Sequence, residues 1–167
     1  GVDVLCGSEN VLGHKTCLAG STVLATEVFN FLQVPELKNE IFGPATILVS
    51  YKNGDDLEKV ITQLEGQLTA SLFGSEKSLS VHRGLVEILE TKAGRLLFNQ
   101  FPTGVEVCES IVHGGPYPAT TDSRSTSVGT GAILRFARPV CYQGFPDDFL
   151  PEELRRDNPL GLDRKEV

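Results

Sequence analysis

The stretch NEIFGP (Asn39–Pro44) places a single carboxylate, Glu40, two residues before the aromatic ring of Phe42 and just ahead of Gly43-Pro44. A carboxylate can accept two hydrogen bonds from a vicinal diol such as a ribose, and a phenyl ring can pack on a flat heteroaromatic ring. Gly43-Pro44 turns the chain before an apolar run, which puts both side chains at a strand end, where ligands tend to sit in open sheets. An ordinary surface glutamate and a core phenylalanine would give the same letters, and the residue types alone favour that interpretation.

A thiol and an imidazole form the second candidate pair, because His113 follows Cys108 by five residues. A Cys–His pair can generate a thiolate nucleophile. Glu106 and Glu109 flank the thiol, however, and neighbouring carboxylates disfavour a thiolate. A thiol that lines a loop is the better interpretation, and a hydrolase that acts through Cys108 stays open as an alternative.

The spacing of the histidines, cysteines and glycines does not indicate a metal site or a phosphate site. The histidines and cysteines are His14, His82, His113, Cys6, Cys17, Cys108 and Cys141. They show no HxH, HExxH or CxxC spacing, so no metal site is predicted. The thiols indicate a reducing compartment, and we expect a cytoplasmic protein. The glycines of VGTGA (residues 128–132) do not link a strand to a helix, so they are interpreted as a structural turn.

The elements that must position these residues follow from the apolar pattern. The predicted strands cover residues 2–5, 22–29, 45–51, 68–72 and 95–99. The apolar run of residues 45–51 predicts a strand that is buried on both faces.

Two amphipathic helices are predicted between these strands. The first begins at Asp55, which can cap it, with Glu58 three residues on. The second runs over residues 76–92. The expected buried faces are formed by Leu57, Val60, Ile61 and Leu64 in the first helix, and by Val81, Leu85, Ile88 and Leu89 in the second.

Strands that alternate with helices over short links predict an α/β fold with an open, mainly parallel sheet and flanking helices. Residues 100–131 then form a long loop rich in Gly, Pro, Ser and Thr, and loops of this length are usually functional or disordered. The run AILRFARPVCY predicts a strand within residues 132–142, and residues 143–167 are an irregular tail.

Composition limits the function classes. The chain has 167 residues, of which 40% are hydrophobic and 22% charged, enough for one domain or a piece of a larger one. The net charge is −7 and no basic stripe occurs, so nucleic-acid binding is not expected. No apolar run approaches the roughly 18 residues of a membrane span, so no membrane association is expected.

The motif NEIFGP, followed by a strand, an amphipathic helix and LEGQLTASLFG, resembles the C-terminal half of the aldehyde dehydrogenase superfamily. The resemblance continues in order through AGRLLFNQ and VHGGPYPAT to ILRFARPV, and it covers nearly the whole chain except its tail. The stretch that begins FNQFPTGVEV resembles the branch that holds 2,5-dioxopentanoate (alpha-ketoglutarate semialdehyde) dehydrogenases and an NADP-dependent fatty aldehyde dehydrogenase.

The resemblance implies NAD or NADP as the cofactor and an aldehyde as the substrate. It implies that Glu40 holds the nicotinamide-side ribose and that Phe42 flanks the nicotinamide. The substrate tunnel would be lined by Phe101, Thr103, Gly104, Val105 and His113.

The resemblance also implies a division of the chain. Residues 1–131 correspond to the C-terminal part of the catalytic domain. Residues 132–142 correspond to an oligomerisation strand, in which Ile133–Val140 pairs across a subunit boundary of a homodimer or tetramer. Residues 143–167 remain as the irregular tail.

The family's nucleophile lies in a Gly-Gln-x-Cys motif and its general base in a Glu-Leu-Gly-Gly motif, and neither occurs here. No catalytic residue is therefore assigned, and the chain resembles a fragment of an enzyme that oxidises aldehydes through a cysteine thiohemiacetal. A non-catalytic binding or assembly module that reuses the fold is the alternative.

Overall fold

The computed structural model describes residues 1–7 and 20–164, and the chain divides into two compact units, Gly1–Arg135 and Phe136–Val167. All strands and α-helices of the described residues lie in the first unit. The strands are β1 (Val2–Gly7), β2 (Thr22–Glu27), β3 (Ala45–Ser50), β4 (Gln67–Leu72) and β5 (Ala93–Phe98). The helices are α1 (Val28–Gln33), α2 (Gly54–Gln63), α3 (Glu76–Val81) and α4 (Arg83–Glu90).

The strands form two sheets, and most of the pairing is parallel. In the first sheet, β2 pairs antiparallel with β1 and parallel with β3, with Thr22 opposite Ala45. In the second, β4 and β5 are parallel, with Thr69 opposite Arg95. The predicted α/β class with parallel strands and flanking helices is confirmed, but the sheet is divided between β3 and β4.

Helix α2 joins the two parts of the core through adjacent residues. Val60 packs with Val28 and Phe31 of α1, while Ile61 packs with Leu85 and Leu89 of α4. Since consecutive helical residues point about 100° apart, a single helix can serve both clusters. The helix therefore lies between α1 and α4 and couples the two sheets.

The first helix starts differently from the prediction. Its cap is Asn53 and not Asp55, because Asn53 has the extended backbone of an N-cap and its Oδ1 accepts a hydrogen bond from Asp56 N at 3.0 Å. Asp55 lies inside the first turn, where a carboxylate favours the positive end of the helix dipole.

The second predicted helix is broken at His82 into α3 and α4. His82 has φ −104° and ψ 36°, which are outside the helical region. The buried face belongs to α4 alone, and Val81 of α3 is 73% exposed, so its assignment to that face was wrong.

Strand β3 is not buried on both faces as predicted. Its exposure alternates along the strand, and Leu48 is 54% exposed. The cause is that α1 and α2 cover one face, on which Ile47 and Val49 pack, and no described element covers the other. The predicted strand over residues 22–29 also ends early, because Val28 begins α1.

The single chain does not form the predicted strand within residues 132–142, and the pairing of this segment across a subunit boundary stays a prediction. Thr130–Arg135 forms a 3-10 helix, and no strand follows β5 in residues 99–164. A strand needs a backbone partner for its N–H and C=O groups, and none of the described strands pairs with this segment.

The described residues of the second unit, 136–164, contain no strand and no α-helix. Two single-turn 3-10 helices occur, Asp147–Phe149 and Glu152–Leu154. The Asp147 carboxylate accepts a hydrogen bond from Arg156 N at 3.1 Å, and Arg155 Nε donates to Leu150 O at 3.1 Å. Across the described residues, no helix combines the length and apolarity needed to cross a bilayer.

Candidate functional site

The NEIFGP motif forms two successive tight turns just before β3. Gly43 N donates to Ile41 O at 2.8 Å, and Ala45 N donates to Gly43 O at 2.8 Å. These three-residue turns place Phe42 at an apex, and the residue is 97% exposed. Pro44 O accepts from Thr22 N at 2.9 Å, which ties the turn to the start of β2. The motif thus presents its ring outward from a fixed backbone.

The position of the motif corrects one premise of the sequence argument. Glu40 and Phe42 precede Ala45, so they lie at the amino end of the parallel strands. The general tendency of ligands to bind open sheets applies to the carboxyl ends. The case for Glu40 and Phe42 must therefore rest on their local surroundings.

Glu40 lines a groove of about 490 Å³ at the amino end of β4. Its carboxylate is exposed, and no hydrogen bond or ion pair joins it to another described residue. The neighbouring Lys38 ammonium is directed elsewhere, to Gln63 Oε1 at 2.8 Å and Leu32 O at 3.3 Å. The carboxylate can therefore accept hydrogen bonds from a ligand. The groove is completed by Lys38, Asn39, Glu65, Gly66, Gln67, Leu68, Thr69, Pro118 and Ala119.

Glycines bring Pro118 and Ala119 to this groove. The segment 114–116 crosses the amino ends of β4 and β5 in backbone contact. A Cβ on Gly94 would meet Gly114 O, one on Gly66 would meet Pro116 O, and one on Gly115 would meet Gln67 O. Since no side chain fits between these backbones, glycine is needed at positions 66, 94 and 115 for the crossing. A distant loop is thereby placed beside Glu40.

His113 stands at the start of this crossing segment. Its N–H donates to Thr126 Oγ1 at 2.9 Å, and its carbonyl accepts from Ser127 N at 3.1 Å and Ser127 Oγ at 3.0 Å. The backbone of His113 is thus held by the 126–127 turn. The residue is half-buried and does not line the Glu40 groove.

The predicted tunnel segment, Phe101–Val105, begins beyond the carboxyl end of β5. Asn99 has a left-handed backbone (φ 53°) that turns the chain out of the strand. Its side-chain amide pairs with Gly74, accepting from N and donating to O at 2.9 Å each, while its own N–H donates to Leu72 O. Phe101 packs on Phe73 with ring centroids 5.0 Å apart. Sequence reasoning missed Asn99, although Asn is the non-glycine residue best suited to this conformation.

The predicted cofactor and tunnel residues do not line the same groove. Glu40 lines the groove at the amino end of β4, and neither Phe101–Val105 nor His113 does. The loop 101–105 follows the carboxyl end of β5 and turns back along the strand, because Gly104 O accepts a hydrogen bond from Arg95, the third residue of β5. Both assignments remain predictions.

The Cys108–His113 pair does not form a hydrogen bond. Cys108 Sγ lies 3.4 Å from Ser110 Oγ, and the side chain is exposed. Cys6, Cys108 and Cys141 are unpaired thiols, whereas Cys17 and His14 lie outside the described residues. Within residues 1–7 and 20–164, no three His, Cys, Asp or Glu side chains are grouped so as to hold a metal ion.

Comparison with known proteins gives evidence about the chain that is independent of this geometry. No family model matches the chain. It is 50% identical over 148 residues to alpha-ketoglutaric semialdehyde dehydrogenase 2 of Azospirillum brasilense, a match that covers 89% of this chain and 28% of that protein. It is 51% identical over 130 residues to alpha-ketoglutaric semialdehyde dehydrogenase of Acinetobacter baylyi, covering 78% of this chain and 25% of that protein.

A solved structure shows a similar fold. The crystal structure of the Delta-pyrroline-5-carboxylate dehydrogenase from Mycobacterium tuberculosis matches with a TM-score of 0.57 at 16% identity, over 90% of this chain and 28% of that one. The chain thus spans about a quarter of the length of the relatives it matches.

Proposed function

The chain belongs to the aldehyde dehydrogenase family, and we propose that it forms part of an NAD- or NADP-dependent enzyme that oxidises an aldehyde to a carboxylate. The observation that carries the proposal is the combination of about 50% identity to two dehydrogenases with an exposed Glu40–Phe42 pair on a fixed turn. The nucleophile and the base would come from parts of the enzyme outside this chain.

Glu40 and Phe42 suit the nicotinamide half of the cofactor. The Glu40 carboxylate, which no described side chain occupies, would accept hydrogen bonds from the ribose hydroxyls. The exposed Phe42 ring would pack beside a flat ring. Gly43 supports this fit, since a Cβ there would meet nothing within 4 Å and a ligand can approach the backbone. When bound, the nicotinamide supplies the hydride acceptor of the reaction.

Phe101–Val105 and His113 would line the substrate path in this proposal. Phe101 provides an apolar wall that rests on Phe73, and the exposed Thr103 and Gly104 leave space beside it. The names of the two relatives suggest alpha-ketoglutaric semialdehyde (2,5-dioxopentanoate) as the aldehyde. A fatty aldehyde, which the sequence resemblance also implies, is the second candidate. A homodimer or tetramer in the cytoplasm completes the proposal.

The substitution Glu40→Gln in the complete enzyme tests the cofactor assignment. It removes the charge but keeps the shape, so the loss of charge-assisted hydrogen bonds should cost about 1.5–3 kcal/mol. We expect a higher KM for the cofactor or slower hydride transfer, with an unchanged unfolding temperature. Stopped-flow formation of NADH or NADPH at varied cofactor concentration measures both.

Glu36→Gln is the matched control, because Glu36 is an exposed glutamate on the 3-10 turn Pro35–Lys38 and does not line the groove. It should behave as the parent enzyme does. Parental cofactor kinetics in Glu40→Gln would remove Glu40 from the cofactor site.

A further inference from the structure

We propose that Arg95 is a positioning residue that fixes the path of the substrate loop, residues 101–105. Arg95 is the third residue of β5, opposite Thr69 of β4. Its Nη1 donates to Gly104 O at 2.9 Å, and its Nη2 reaches Pro102 O at 3.4 Å. A residue of β5 therefore forms hydrogen bonds with the backbone of the loop that follows β5. The substrate role of the loop rests on the proposed function.

The two contacts use the geometry of the guanidinium. Its nitrogens form a rigid planar fork, so two carbonyls bound to one fork are held at a set separation. Both acceptors are main-chain oxygens, which means that Arg95 sets the backbone path of the loop whatever side chains the loop carries. An ammonium on a flexible stem would reach one carbonyl without fixing the other.

Arg95 is half-buried, and its Nε has no partner among the described residues. Hydrogen bonds offset part of the cost of removing a cation from water. The carbonyls of Pro102 and Gly104 are the described groups that accept from it. These two hydrogen bonds therefore favour the loop path in which Pro102 O and Gly104 O lie against Arg95.

Other contacts hold the base of the loop but not its tip. Asn99 fixes the exit from β5, and Phe101 rests on Phe73. Within the described part of the chain, the hydrogen bonds that reach residues 102–104 come from Arg95. The tip is exposed, and a Cβ at Gly104 would meet no atom within 4 Å. Loss of the Arg95 fork should therefore release the tip while the base stays in place.

The test compares Arg95→Met and Arg95→Lys with the parent in the complete enzyme. Arg95→Met keeps the length and apolar stem of the side chain but removes every donor. Arg83→Met is the control, since Arg83 is an exposed arginine of α4 whose described partner is Glu87 at 3.8 Å. Limited proteolysis by elastase within residues 103–107 reports on the loop directly, and initial rates over a series of short and long aldehydes report on substrate selection.

In Arg95→Met we expect the rate of elastase cleavage within residues 103–107 to rise about tenfold, the change that follows from losing a charge-assisted hydrogen bond. The KM for the preferred aldehyde should rise by a similar factor and the chain-length preference should flatten, while kcat and the cofactor KM stay near parental values. Arg95→Lys should fall between the parent and Arg95→Met in loop cleavage and in aldehyde KM, and Arg83→Met should match the parent.

A parental rate of loop cleavage in Arg95→Met would overturn the positioning role, as would faster cleavage with parental aldehyde selection. If Arg95→Met does not fold, Arg95→Lys decides the matter, because a parental rate of loop cleavage and a parental aldehyde KM in that variant would also overturn it. Failure of the proposed function is seen separately, because the parent enzyme would then oxidise no aldehyde of the series.

Discussion

Gly104 is the residue of the substrate loop with the most room around it. Its backbone is not in the left-handed region and a Cβ would meet nothing within 4 Å, so a larger side chain should be accepted without strain. In the complete enzyme, Gly104→Leu should therefore shift the preference among aldehydes of different chain length and leave the cofactor KM unchanged. Rates over a homologous series measure the shift. A profile equal to that of the parent enzyme would contradict the tunnel assignment.

At the scale of single residues, the sequence showed which residue types could fill a role. It did not show which of two neighbouring residues of a suitable type fills it. Asn53 and Asp55 can both cap a helix, and only the extended backbone of Asn53 decides which one does. Glu40 and Phe42 could be singled out from their motif. Pro118 and Ala119, which share the groove with Glu40, could not, because backbone contacts far along the chain bring them there.

The crossing of segment 114–116 over β4 and β5 is the structural element on which the groove depends. Gly94→Ala should disrupt it, because the added methyl group meets Gly114 O, a backbone atom that cannot move alone. We expect a loss of about 1–3 kcal/mol in the free energy of unfolding, as in other overpacked sites. Urea unfolding of the chain measures the change.

Gly54→Ala is the control for this effect. Gly54 begins α2, and a Cβ there would have only an ordinary contact with His82 at 3.8 Å. Alanine also restricts the unfolded chain, so this variant should be as stable as the parent or slightly more stable. Equal stability of both variants would show that the crossing tolerates a side chain.

At the scale of elements, local periodicity predicted the five strands of the described chain and the helix α2. It failed where tertiary contacts decide the structure. The break at His82 separates a helix with no buried residue, α3, from one that packs, α4. The segment 132–142 has the apolar composition of a strand but no pairing strand among the described ones, so its pattern could not form the structure that it suggests.

In the first unit of the molecule, many large apolar side chains are exposed and few are buried in the core. In the described residues, seven hydrophobic side chains are buried, whereas Val4 and Leu5 of β1 and Leu48 of β3 are 68%, 60% and 54% exposed. Both β1 and β3 are edges of their sheet, and exposed apolar edges favour pairing with other chains. We therefore expect the isolated chain to self-associate in sedimentation velocity experiments.

Val4→Lys should reduce this association, because a charge on an edge strand opposes edge-to-edge pairing. A monodisperse monomer of the parent chain at high concentration would contradict the expectation. The same result would weaken the proposal that the complete enzyme is a homodimer or tetramer.

For the whole molecule, we predict that the 167-residue chain alone does not oxidise aldehydes. The reaction requires a thiolate, a base and a nicotinamide within transfer distance. The Gly-Gln-x-Cys and Glu-Leu-Gly-Gly motifs that supply the first two in the family are not in the sequence. Absorbance at 340 nm with the chain, an aldehyde and NAD or NADP should therefore match a buffer blank.

Cys108 provides the strictest form of this test. It is exposed and follows the substrate loop, but its Sγ contacts Ser110 at 3.4 Å rather than the imidazole that would activate it. With no base beside the thiol, alkylation at neutral pH should be slow, and Cys108→Ser should leave the blank-level rate unchanged. Saturable oxidation that Cys108→Ser abolishes would make Cys108 a nucleophile, and the dehydrogenase chemistry would then lie within this chain.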